Sequence, residues 1–63
     1  MIKVTQLNSK ELIVNAELIE SIEAKPDTII TLTSGNRIVV RETVDDVMEK
    51  VLEYHRTINA KNK

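Results

Sequence analysis

Apolar and polar residues alternate with period two in short runs up to Val40, and the apolar spacing then becomes helical. The rest is arranged around Asp27 to Val40, where two runs rich in β-branched residues flank Ser34-Gly35-Asn36. Gly35 is the chain's single glycine. Glycine and asparagine both tolerate the positive φ of a tight turn, so this stretch predicts a β-hairpin. Ile30 and Leu32 share one face of its first strand, and Ile38 and Val40 share one face of the second. A lone hairpin is marginal in water and needs more strands or a helix over its apolar side.

The flanking sequence supplies both. Ile2 and Val4 alternate with Lys3 and Thr5 to give a first strand over residues 2–7. Leu7 breaks the parity, which places a bulge or strand end there. Asn8-Ser9-Lys10 predicts a turn with Asn8 in the left-handed region. Leu12-Ile13-Val14 is the second strand. Asn15 caps a single turn over Ala16-Glu17-Leu18, and Ile19 to Ala24 is the third strand. Lys25-Pro26-Asp27-Thr28 is a further turn. Short turns make sequence neighbours spatial neighbours in a mainly antiparallel sheet of about five strands. The similar spacing of the two hairpins needs no duplication to explain it.

Thr43 opens a helix, with Asp45 and Asp46 suited to its positive end. Val44, Val47, Met48, Val51, Leu52, His55 and Ile58 form one apolar stripe. Asp45, Glu49, Glu53 and Arg56 fill the opposite face, and Asp46 with Lys50 is spaced for an i,i+4 pair. The helix is expected to cover Ile30, Leu32, Ile38 and Val40. The fold class is therefore α+β: one domain over residues 1–58, with the helix on one sheet face and residues 59–63 as a frayed tail.

One helix cannot cover both sheet faces. Ile13, Ile29 and Val39 point away from the helix side, amid Thr31, Thr33, Arg37 and Arg41. They can be scattered surface aliphatics, which are common. They can instead form the centre of a self-association or partner interface whose rim is threonine and arginine. Ile13, Ile29, Thr31, Arg37, Val39 and Arg41 are the candidate contacts on this second reading.

Composition narrows the function. The chain has 63 residues, no cysteine, one tyrosine, and neither phenylalanine nor tryptophan. It lacks the means for a disulfide staple or a Cys/His metal site, so stability must come from aliphatic packing or self-association. Nine basic residues balance ten acidic ones, net −1, unlike the basic stripe of most nucleic-acid binders. Scarce aromatics also disfavour base stacking. No apolar run reaches membrane-span length and no signal-peptide pattern opens the chain, so a cytoplasmic protein is expected.

Catalytic constellations are missing. His55 has no second His or Cys with which to share a metal and reads as a histidine packed at the edge of the core. Asp45, Asp46 and Glu49 read as partners of the helix dipole, not as magnesium ligands. Ser9, Ser21 and Ser34 lack a nearby base or a nucleophile elbow, and one glycine cannot build a phosphate loop. A non-enzymatic protein without cofactors is expected.

Four motifs in fixed order carry a family resemblance. They are Lys-Val-Thr-x-Leu-Asn-x-Lys-Glu (3–11), Asn-x-x-Leu-Ile-Glu-x-Ile-Glu (15–23), Pro-Asp-Thr-Ile-Ile-Thr-Leu-Thr-x-Gly (26–35) and Ile-Val-Val-Arg-Glu-x-Val-Asp-Asp-Val (38–47). Together they resemble the FlbD/SwrD family of small flagellar proteins over about residues 2 to 58. Ser9 departs from the pattern, since the family typically has glycine after Leu-Asn. The resemblance implies a bacterial cytoplasmic motility protein, peripheral to the flagellar motor at the inner membrane. It also implies support of swarming through the torque-generating stator units, and brings no catalytic residues.

The leading expectation is thus a motility accessory protein acting by protein–protein contact, as a homo-oligomer or on flagellar motor components. The alternative is a small nucleic-acid-binding regulator using Lys3, Lys10, Arg37 and Arg41 as a patch, because residues 18–23 share the Leu-Ile-Glu-x-Ile-Glu flavour of LytTR-type modules. Salt-dependent binding to duplex would distinguish it.

Overall fold

The structure, a computed structural model, describes residues 1–61, with side chains through residue 57. Strands β1 (Ile2–Thr5) and β2 (Glu11–Val14) form one antiparallel ladder. A 3-10 turn (Ala16–Leu18) leads to β3 (Ile19–Ala24), β4 (Thr28–Leu32) and β5 (Arg37–Val40), an antiparallel sheet in the order β3-β4-β5. Helix α1 (Val44–Lys61) closes the fold. This is the expected α+β class, with the five strands shared between two ladders. α1 is helical through Lys61, into the segment expected to fray, and the last positions of that tail lie outside the described residues.

A single antiparallel bridge, Gln6 to Val40, joins the two ladders. Arg41 reinforces it, its N–H donating to Thr5 O at 2.7 Å. Side chains of bridged residues share a face, so the apolar faces of both ladders run together across this seam. Ile2, Val4, Val14, Ala16, Ile30, Val40 and Val47 form one buried cluster. Val4, Ile30 and Val47 are wholly inaccessible to solvent. Leu32 and Ile38 pack against the cluster but stay half-buried. The helix therefore covers the expected face, although its most extensive contacts are with β1 and β3 rather than with the central hairpin.

The turns follow local chemistry. Asn15 Oδ1 accepts the Glu17 N–H at 3.0 Å, capping the 3-10 turn. Gly35 takes φ +95°, and its N–H donates to Leu32 O at 2.8 Å. Thr43 Oγ1 accepts the Asp46 N–H at 3.1 Å, as expected of the helix cap. The first turn differs from expectation: Ser9, not Asn8, has positive φ, at 69°. Asn8 Oδ1 accepts the Lys10 N–H at 3.0 Å, and this side-chain clamp passes the left-handed step to the next residue. The strand end expected near Leu7 is found: β1 stops at Thr5, and Leu7 lies in the turn.

The helix stripe is rotated from the expected one. Val44, Val47, Val51 and Tyr54 face the fold, whereas Met48 and Leu52 are about half exposed and His55 is exposed. Ile58 lies beyond the residues whose side chains are described. A sheet contacts a narrow strip of helix, and the i, i+3, i+7 line that includes Tyr54 wins because its ring packs on the core while its hydroxyl stays in reach of Glu17. His55 is thus no core histidine; its ring meets Tyr54 edge-on at 5.5 Å. Asp46 and Lys50 form no ion pair among the described residues, where Arg56 pairs with Glu53 at 2.6 Å instead.

Candidate functional site

The outer face of β4 and β5 is built by register. Ile29 stands directly opposite Val39, and Thr31 opposite Arg37. On the other side Glu23 of β3 stands opposite Ile29. Ile29, Thr31 and Val39 are half-buried. Arg37 reaches across to Glu23 at 3.5 Å. The result is a small aliphatic centre with a threonine and a neutralised ion pair at its border.

Ile13 is placed elsewhere. It sits on the outward face of β2, opposite Lys3, in the other ladder, and is 56% exposed. Arg41 lies just past β5 and is committed to the seam, its Nη2 donating to Leu7 O at 3.0 Å. Of the candidate contacts, Ile29, Thr31, Arg37 and Val39 are brought together, Arg41 borders them, and Ile13 stands apart.

Leu7 joins this face and was not among the candidates. Leu7 lies in the turn just past the Gln6–Val40 bridge and shares the lining of one cleft with Val39. It is 49% exposed. Beside it an open cleft of about 350 Å³ is lined by Gln6, Leu7, Leu12, Arg37, Ile38 and Val39. The parity break at Leu7 was the available signal: an apolar residue at an outward position of a strand is either a bulge or a surface contact.

His55 is exposed on the helix with an aromatic neighbour, and Asp45, Asp46 and Glu49 are exposed carboxylates in the helix's first turns. No cluster of His, Cys, Asp or Glu able to hold a metal exists among the described residues. No helix of the described residues is long and apolar enough to cross a membrane.

The family model for FlbD, the flagellar and swarming motility proteins, matches residues 1–59. The chain belongs to the FlbD family. No curated protein and no solved structure matches it. For this FlbD-family chain the matched span takes in every strand and all but the end of α1, so the family pattern coincides with the folded unit. It is a flagellar, motility-related protein.

Proposed function

We propose that the protein is a non-enzymatic motility accessory that works in the cytoplasm, at the inner-membrane base of the flagellar motor. It acts by protein–protein contact through the outer face of β4 and β5, assembling with further copies of itself and docking on motor or stator components. The observation that carries this reading is the Ile29–Val39 pair, with Leu7 beside it, left open on the side the helix does not cover. Contiguous aliphatic surface with a polar border is the anatomy of a small interface. The same geometry favours protein over nucleic acid as the partner. Arg37 is paired with Glu23, Arg41 with Leu7 O, and Lys3 lies 4.0 Å from Glu11, so three cations of the supposed patch are engaged locally.

Sedimentation of the purified protein, alone and with cytoplasmic stator segments, tests the proposal. A species heavier than the 7.2 kDa chain, lost in Val39→Glu while circular dichroism is unchanged, is the expected result. A monomer that binds no motor segment, or an assembly indifferent to Val39→Glu, would remove its basis.

A further inference from the structure

A second surface lies between β1 and the start of α1. In the first ladder Gln6 N donates to Lys10 O at 2.9 Å, which makes Gln6–Lys10 a hydrogen-bonded pair. Antiparallel ladders alternate, so Val4–Leu12 and Ile2–Val14 are also hydrogen-bonded pairs, and the N–H and C=O of Lys3 and Thr5 point away from β2. Thr5 is satisfied on that side. Its N–H donates to both Glu42 carboxylate oxygens, at 2.9 and 3.0 Å, and its C=O accepts from Arg41. Lys3, one step along the same edge, has no backbone partner outside its ladder among the described residues. Its peptide groups border an open groove of about 680 Å³ whose floor includes Ile2 and Tyr54.

The far wall of this groove is acidic. Asp46, Glu49 and Glu53 line it along one side of α1, and Lys50 is the helix's only cation in the lining. Asp46 and Glu49 form no ion pair among the described residues. Along a helix Glu49 and Glu53 are separated by about 6 Å of rise. Alternate side chains of an extended chain are about 6.8 Å apart, so carboxylates on this wall and every second residue of a strand in the groove are nearly in step.

We propose that this groove docks an extended lysine- or arginine-bearing segment of a partner protein. The segment adds as a strand to the free edge of β1 at Lys3 and sets its cations against Glu49 and Glu53, the latter exchanging its exposed pairing with Arg56. Strand addition supplies backbone affinity, and the acidic wall selects the partner's charge. An unpaired edge of this kind is ordinarily blocked in natural proteins. Here Glu42 and Arg41 block it at Thr5 and leave it open at Lys3.

A fluorescein-labelled alternating valine–lysine peptide, titrated into the full chain with an alternating valine–glutamate peptide as control, tests the site. Saturable binding of the lysine peptide alone is expected, with a shift of the Lys3 amide resonance and a loss of at least about tenfold in affinity in Glu49→Lys. Glu49 is exposed, so the variant should keep its circular dichroism. Equal binding of both peptides, binding unaffected by Glu49→Lys, or an unmoved Lys3 amide would overturn the proposal. So would sedimentation showing that Glu49→Lys dissociates a self-assembly, which would assign the groove to a second copy of this chain.

Discussion

Both carboxylate oxygens of Glu42 accept the backbone N–H of Thr5, at 2.9 and 3.0 Å, across a separation of 37 residues. This contact continues the seam between the two ladders where the chain has already turned toward α1. Burial would push the Glu42 carboxyl up, but the backbone N–H groups of Thr5 and Glu42, the Thr5 hydroxyl and the Lys50 charge outweigh it. The group is held below its ordinary value.

Glu42→Gln should therefore destabilise the fold by about 1–2 kcal/mol at neutral pH, the worth of a charge-assisted hydrogen bond. Its pH dependence has a definite sign. A depressed folded-state pKa means the unfolded chain takes the proton first, so the stabilisation is complete above the unfolded carboxylate value. It is lost as pH falls through the lower folded value. Urea midpoints should fall with acidification in the parent more steeply than in Glu42→Gln, and the two should converge at low pH.

The left-handed residues give opposite expectations. Ser9 holds φ 69° with a side chain, so Ser9→Gly should raise stability by about 1 kcal/mol or slightly less once glycine's extra unfolded-state entropy is counted. Gly35 has φ +95° and nothing within 4 Å of a built Cβ. Gly35→Ala should then cost about 1–2 kcal/mol through backbone strain alone. Thermal melts of both variants check the pair.

Burial on α1 separates neighbours in the stripe. Val47 is fully buried, and Val47→Ala should cost about 2–3 kcal/mol from lost transfer energy and a residual cavity. Met48→Ala, one position on and half exposed, should stay within about 0.5 kcal/mol of the parent. Chemical denaturation midpoints distinguish this from a helix that buries Met48.

Much of this was legible beforehand. Alternation at Ile2–Thr5 and runs rich in β-branched or aliphatic residues bounded by turn residues located the five strands, the lone glycine located the central turn, and Thr43 located the helix cap, because each is decided by residues close in sequence. The α+β class followed from the same patterns, and the family from the resemblance carried by the four ordered motifs. What was not legible depends on distant partners. Nothing local marks Glu42 as the acceptor for Thr5. The choice of Tyr54 over His55 for the core line depends on how α1 settles on β1 and β3. The grouping of Ile13 with Ile29 and Val39 assumed one continuous sheet, whereas the seam at Gln6 and Val40 puts Leu7 there instead.

Tyr54, the chain's only tyrosine, donates its hydroxyl to Glu17 Oε2 at 2.9 Å. That hydrogen bond, with burial and the Glu17 charge, raises its pKa. Spectroscopic titration of the lone phenol should show a midpoint above that of a free tyrosine, returning toward the free value in Glu17→Gln. For an acid raised on folding, this contribution to stability is present below the unfolded pKa and is lost as pH rises through the folded one.

Docking through the outer face of β4 and β5 is tested most directly by swarm expansion of cells carrying Val39→Glu, compared with cells carrying Ile13→Glu at equal protein level. Val39 lies inside the aliphatic cluster and Ile13 on the separate ladder, so Val39→Glu should abolish swarming and Ile13→Glu should leave it intact. Normal swarming with Val39→Glu would contradict docking through this face.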